Sequence, residues 1–201
     1  MIFNERAIVL SKRTGYGEDV YVCLIGERSG VFWAVAKRAR KSKKRFLNIL
    51  EPPTLISAYI RKTKFSETLI LEKAELEDIF YNIKTSFEKL LCGWFGIELV
   101  MALSFSSECF HNLFEFINDI SSSETKTDIL IEKTLNFSLN IIIKEGFSSE
   151  SEIKKQNWNN SQKEKIEWIS KKIEEIYGKK LKFVDILEKL YSEKIYDINS
   201  F

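Results

Sequence analysis

Histidine occurs once, proline twice, cysteine three times and glycine eight times in these 201 residues, and each scarcity removes a class of function. The lone histidine, His111, stands among Phe110, Leu113 and Phe114, a helical apolar setting in which a structural role is the ordinary one. The cysteines, Cys23, Cys92 and Cys109, are far apart and form no CxxC pair. Neither a disulfide framework nor a zinc site is expected, and a reducing cytoplasm fits. No GxxxxGK[ST] loop, HExxH or GxSxG stretch occurs, so the phosphate cradle, metalloprotease helix and nucleophile elbow are missing and no catalysis is expected. The longest apolar stretch, Leu90 to Phe105, carries Glu98 in its middle and falls short of the roughly 20 residues a spanning helix needs. It reads as a buried core helix, and no membrane partner is expected. Charges within the first apolar run, MIFNERAIVLSKR, argue against a signal peptide.

What is present is charge, unevenly spread. The whole chain carries a formal net charge of +2, but residues 1–75 hold 15 Lys and Arg against 8 Asp and Glu, and residues 76–201 hold 16 against 21. A basic first third joined to an acidic remainder predicts two domains, residues 1–76 and 77–201, the first with a polyanionic partner.

Punctuation agrees with that division. Gly15, Gly17, Gly26, Gly30, Pro52 and Pro53 all fall within the first 53 residues, where β-turns need them. Between them five short strands are predicted: Ala7–Leu10, Asp19–Ile25, Val31–Ala36, Thr54–Ile60 and Ser66–Leu71. In the third, Val31, Trp33 and Val35 are assigned to the core face. Five closely spaced strands suit a small closed barrel, of the OB-fold or the SH3-like kind. From Asp78 the period becomes helical, with Phe80, Ile83, Phe87, Leu90, Trp94, Ile97 and Met101 as one stripe. A second helix opens at Glu108, Ser121–Ser123 form a loop, and Ser123 caps a third helix that Gly146 stops. Residues 148–162 read as a polar loop. Helices carrying Ile166, Ile169 and Ile173, then Val184, Leu187 and Leu190, complete an all-α second domain.

The segment with the most chemistry is Lys37-Arg38-Ala39-Arg40-Lys41-Ser42-Lys43-Lys44-Arg45, seven basic residues in nine. Lys and Arg neutralise phosphates with release of counterions, giving sequence-independent affinity that falls with salt. Aromatic faces beside such a groove stack on unpaired bases, each worth roughly 1–3 kcal/mol. Phe32 and Phe46 are the stacking candidates; Lys12 and Arg13, and separately Arg61, Lys62 and Lys64, extend the basic surface. The bland alternative is a solvated charge run. Its density without intervening acids favours nucleic-acid binding.

These residues also resemble a known family. Ala7-Ile8-Val9-Leu10-Ser11-Lys12-Arg13, Tyr16-Gly17-Glu18-Asp19, Gly30, Val35 through Phe46, and Leu50-Glu51-Pro52 follow in order the pattern of the RecO N-terminal domain, a bacterial recombination and repair mediator. The resemblance covers about residues 5–75 and chooses the OB-fold: an α+β protein with an N-terminal five-stranded OB-fold β-barrel followed by an all-α helical domain. It implies binding of single- and double-stranded DNA, annealing of complementary strands, and help in loading RecA on DNA coated by single-strand binding protein (SSB), together with RecR. It implies no cofactor and a cytoplasmic, nucleoid-associated location. The expected DNA-binding residues are Lys37, Arg38, Arg40, Lys41, Lys43, Lys44, Arg45, Phe46, Lys12 and Arg13. Two features depart from the family: Arg38 stands where glycine is usual, and no cysteine follows Cys109 where many relatives carry a four-cysteine zinc motif. Zinc is not expected, and the pocket that binds the SSB tail is not carried over past residue 147. Other readings of the same residues are a protein-interaction adaptor and an RNA-binding barrel.

Overall fold

The computed structural model describes residues 2–42, 44–46, 48–63, 67–104, 106–123, 126–156, 158, 161–182, 184–185 and 191. Five strands, β1 (Ile2–Thr14), β2 (Val20–Gly26), β3 (Gly30–Ala36), β4 (Thr54–Lys62) and β5 (Leu69–Asp78), close into a barrel in the order β1-β2-β3-β5-β4. Neighbours are antiparallel except β3 and β5, which run parallel where the barrel closes. This is the five-stranded OB-fold barrel. The fifth strand begins at Leu69 and runs further than the sequence indicated; the expected start at Ser66 lies outside the described residues.

Alanine sets the inside of the barrel. Ala7, Ala34, Ala36, Ala58 and Ala74 share the buried cluster with Val9, Val22, Leu24, Ile56, Ile60 and Leu71. A barrel of five strands has a narrow interior, and small residues opposite large ones fill it. On β3 this reverses the expected orientation. Ala34 and Ala36 point inward and Phe32 packs against the cluster, while Trp33 is 39% exposed. Side chains alternate across a strand, so the face that takes the alanines necessarily turns Trp33 outward.

Opposite Ala7 and Val9 in parity, Ile8, Leu10 and Ile25 are also fully buried, so the outer face of β1–β2 is a second apolar layer. Residues 105–114 belong to the same compact unit as residues 1–81. Their Cys109, Phe110 and Leu113 are fully buried, and the Arg6 guanidinium lies 6.0 Å and 5.0 Å from the ring centroids of Phe110 and Phe114. The β2–β3 turn is held by Glu5, buried at 2% exposure, which accepts from the Arg28 N–H at 2.7 Å and the Ser29 hydroxyl at 2.8 Å.

The second compact unit comprises residues 82–104 and 115–201, built from α1 (Phe87–Leu103), the latter part of α2 (Glu108–Ser122), α3 (Thr127–Lys144), α4 (Glu150–Lys155) and α5 (Gln162–Tyr177). Helix α1 does not begin at Asp78. A short 3-10 turn, Tyr81–Thr85, precedes it, and Ser86 caps it by accepting from the Lys89 N–H. The expected stripe holds only in part: Phe80, Ile83 and Ile97 are buried, but Phe87 is 65% exposed, and Leu91, Cys92, Phe95, Leu99, Val100 and Leu103, off the stripe, are buried as well. A helix apolar nearly all round has no single stripe to find, because it is enclosed on most sides. Gly96 lies where an added Cβ would come within 2.6 Å of Phe116, so the Phe116–Phe137 stack, with centroids 4.2 Å apart, approaches the α1 backbone directly.

Three further expectations are corrected. Ser121 and Ser122 are helical, not loop. Ser123 does not cap α3; its hydroxyl donates back to the Asp119 carbonyl, and Lys126 occupies the cap position, where its side chain makes no capping hydrogen bond. Within 148–162, Ser149 accepts from the Glu152 N–H and starts the short helix α4, so the capping pattern Ser-x-x-Glu prevailed over polar composition. Leu187 and Leu190 lie outside the described residues. No described helix is long and apolar enough to cross a membrane.

Candidate nucleic-acid interface

The basic segment leaves β3 through Arg38, whose backbone is left-handed at φ 54. That conformation costs a non-glycine residue about 1–2 kcal/mol. It is held by the Asp19 carboxylate, which accepts from the Arg38 N–H at 2.8 Å. One 3-10 turn, Ala39–Lys41, follows. The Arg40 N–H donates to the Glu18 carbonyl at 3.1 Å and its guanidinium to the Gly17 carbonyl at 3.1 Å. The segment is thereby tied to the β1–β2 turn, at whose tip Tyr16 is 94% exposed.

These contacts divide a run that looks uniform in sequence. Arg45 is structural: half-buried, it donates to the carbonyls of Lys37 at 2.8 Å and Glu72 at 3.3 Å and lies 5.0 Å from the Phe46 centroid. Lys41 pairs with Glu18 at 3.1 Å, and Lys12 pairs with Glu51. The exposed side chains of Lys37, Arg38 and Lys44 have no acidic partner among the described residues. Lys43 lies outside the described residues. Arg61 and Lys62 are paired with Glu72 and Glu67 on and beside β4–β5; Lys64 lies outside the described residues.

Phe46 is not a stacking surface. It is 4% exposed and belongs to the barrel cluster with Ala39 and Leu50, because this segment closes the end of the barrel and its large apolar side chain is the plug. Phe32 is likewise engaged with the core. On β2 and β3 the exposed aromatics are Tyr21 and Trp33, at 43% and 39%. Tyr21 pairs with Val35 and Cys23 with Trp33, which sets Tyr21 and Trp33 diagonally on one outer face of β2–β3. Arg13, paired with Tyr21 across β1–β2, places its guanidinium 4.9 Å from the Trp33 centroid.

A basic loop, a β2–β3 face and the β1–β2 turn thus meet on one small barrel within residues 1–81. The profile of the family described as Recombination protein O N terminal matches residues 1–80. Over this region the chain is similar to the N-terminal part of RecO proteins. The protein named DNA repair protein RecO from Desulfosudis oleivorans is 37% identical over 100 residues, covering 49% of this chain and 38% of that relative. Those from Anaeromyxobacter sp. (strain K) and Myxococcus xanthus are each 31% identical, over 110 and 116 residues, covering 54% and 57% of this chain. The chain covers 43% and 47% of those two relatives' own lengths.

The RecO match encloses every residue of the interface. The left-handed φ of Arg38 is a conformation that glycine adopts freely, so the arginine places a charge here at a backbone cost. Tyr21 and Trp33 are the residues that sequence reasoning missed. The signal that could have found them is the alanine parity of β3, since Ala34 and Ala36 on one face leave Trp33 to the other.

The three cysteines are buried. Burial pushes the Cys23 thiol up to about 12 and the Cys92 thiol up to about 11, which leaves both protonated and unreactive at neutral pH.

Proposed function

We propose that this chain is a RecO-family, non-catalytic DNA-binding protein of repair and recombination, which grips single strands on its barrel and promotes annealing. The observation that carries this reading is the placement of Lys37, Arg38 and Lys44, exposed and without acidic partners among the described residues, on the barrel that carries the exposed Tyr21–Trp33 face. Cations along a strand's phosphates screen repulsion between two strands, and an aromatic face holds unpaired bases. Lys12, Arg13, Arg40 and Lys41 add positive potential to the same end of the barrel. Arg45 supports the loop, and Phe46 supports the barrel.

The family supports a finer reading: binding of both single- and double-stranded DNA, and assistance to RecA loading on SSB-coated DNA with RecR. The test is an annealing assay with complementary oligonucleotides, naked and SSB-coated, without ATP. The expected result is faster pairing of both, further increased by RecR on coated strands. Salt-insensitive or absent DNA binding would favour an adaptor that receives an acidic protein tail, and tighter binding of RNA than of DNA of equal length would favour an RNA-binding barrel.

A further inference from the structure

One cavity of the barrel unit is not accounted for by phosphate binding along the loop. At the end of the barrel plugged by Phe46, a cleft of about 210 Å³ opens between the plug and the ends of β1 and β2. Val20, Phe46 and Leu50 form apolar walls, and Lys12, Arg40 and Asn48 supply polar groups. Its size matters. An apolar cavity of roughly 150 Å³ accepts a benzene molecule, whereas pockets for larger ligands run to about 300–1,000 Å³. This cleft therefore suits one planar heterocycle and not a whole nucleotide.

Its chemistry points the same way. Glu51 also lines the cleft, where it pairs with Lys12, and a carboxylate beside apolar walls disfavours a bare phosphate. A nucleobase suits this lining: ring faces against Val20 and Leu50, and ring-edge donors and acceptors toward the Asn48 amide, which has both. Asn48 is held in the left-handed region at φ 56. Arg40 commits one guanidinium N–H to the Gly17 carbonyl and keeps donors for a phosphate at the rim.

We propose that this cleft is a base-binding pocket, which takes one unpaired nucleobase from a strand whose phosphates run along Lys37, Arg38 and Lys44. The proposal rests on the DNA-binding reading and adds a site to it. A paired base cannot enter, so the pocket makes the barrel select single strands by shape rather than by charge.

The experiment compares two fluorescent oligomers of equal length and charge, one of thymidylate and one of abasic residues, binding to the full chain by anisotropy. Val20→Phe fills the cleft from β2 without changing charge. Asn48→Gly removes the amide but keeps a residue that adopts φ 56 freely, so it remains informative where Val20→Phe does not fold. With Val20→Phe, thymidylate affinity is expected to fall about tenfold, the scale of one lost stacked base, with abasic affinity unchanged. With Asn48→Gly, a loss of about threefold confined to thymidylate is expected, the scale of one hydrogen bond. An unaltered ratio of thymidylate to abasic affinity in the folded variants would overturn the pocket and leave the basic loop standing. Absence of salt-sensitive binding of either oligomer by the parent protein would overturn both readings.

Discussion

Arg13 and Trp33 lie on strands that do not pair with each other, yet the Arg13 guanidinium reaches across β2 to within 4.9 Å of the Trp33 ring centroid. The contact orders a planar cation and a planar aromatic on one outer face, each able to stack on a base. We expect Trp33→Ala to weaken single-strand affinity by about 1–3 kcal/mol while the dependence on salt stays unchanged. Arg13→Lys, which keeps the charge and loses the plane, is expected to weaken it as well. Equilibrium titrations of single- and double-stranded oligonucleotides across a salt series check both, the duplex serving as the reference that Trp33→Ala does not move.

The loop cations divide into two groups with opposite experimental signatures. Lys37→Ala and Lys44→Ala are each expected to lower the salt slope of DNA binding by about one, with unchanged thermal stability. Arg45→Ala is expected to lower the melting temperature instead, because its two carbonyl partners lose a charged donor, a loss of about 1–3 kcal/mol. Calorimetry beside the salt series separates them, and a stable Arg45→Ala protein with a reduced slope would move Arg45 into the DNA-contacting group.

Arg38 carries both roles in one residue. Arg38→Gly is expected to stabilise the fold by about 1 kcal/mol through relief of the left-handed backbone, and to reduce the salt slope by about one. Urea denaturation and the binding series on the same preparation measure the two effects. A loss of stability would show that the guanidinium, and not the backbone, dominates at this position.

The cysteines provide a check on the core. With Cys23 raised to about 12 and Cys92 to about 11 by burial, native protein at pH 8 is expected to resist iodoacetamide and to react in urea. The thiolate is the reactive form, and both groups stay protonated far above that pH. Mass spectrometry of peptides after timed alkylation reads the outcome; rapid native labelling of Cys23 would contradict its burial beside Trp33 on the outer face of β2–β3.

Much of this was legible in the residues. Turn-forming Gly15, Gly17, Gly26 and Gly30 delimit the strands, the charge asymmetry marks the barrel as the basic part of the chain, and Gly178 ends α5 at φ 77. Each of these follows from local chemistry. What was misread turned on which neighbour a side chain meets. Phe46 looks like a platform because it ends a basic run, and is a plug because that run closes the barrel. Phe87 looks like core by spacing, and is exposed because α1 packs on its other sides.

The sequence by itself determined the barrel, the helical second half and the density of positive charge between β3 and β4, since these depend on periodicity, turn residues and composition. Only the tertiary structure decided which cations are available and which aromatics face solvent. Arg40 and Arg45 are occupied by carbonyls contributed by the β1–β2 turn, Lys37 and β5, and Trp33 is turned outward by the narrow bore that alanines fill. Those outcomes depend on contacts between residues distant in the chain, and so appear only when the barrel is closed.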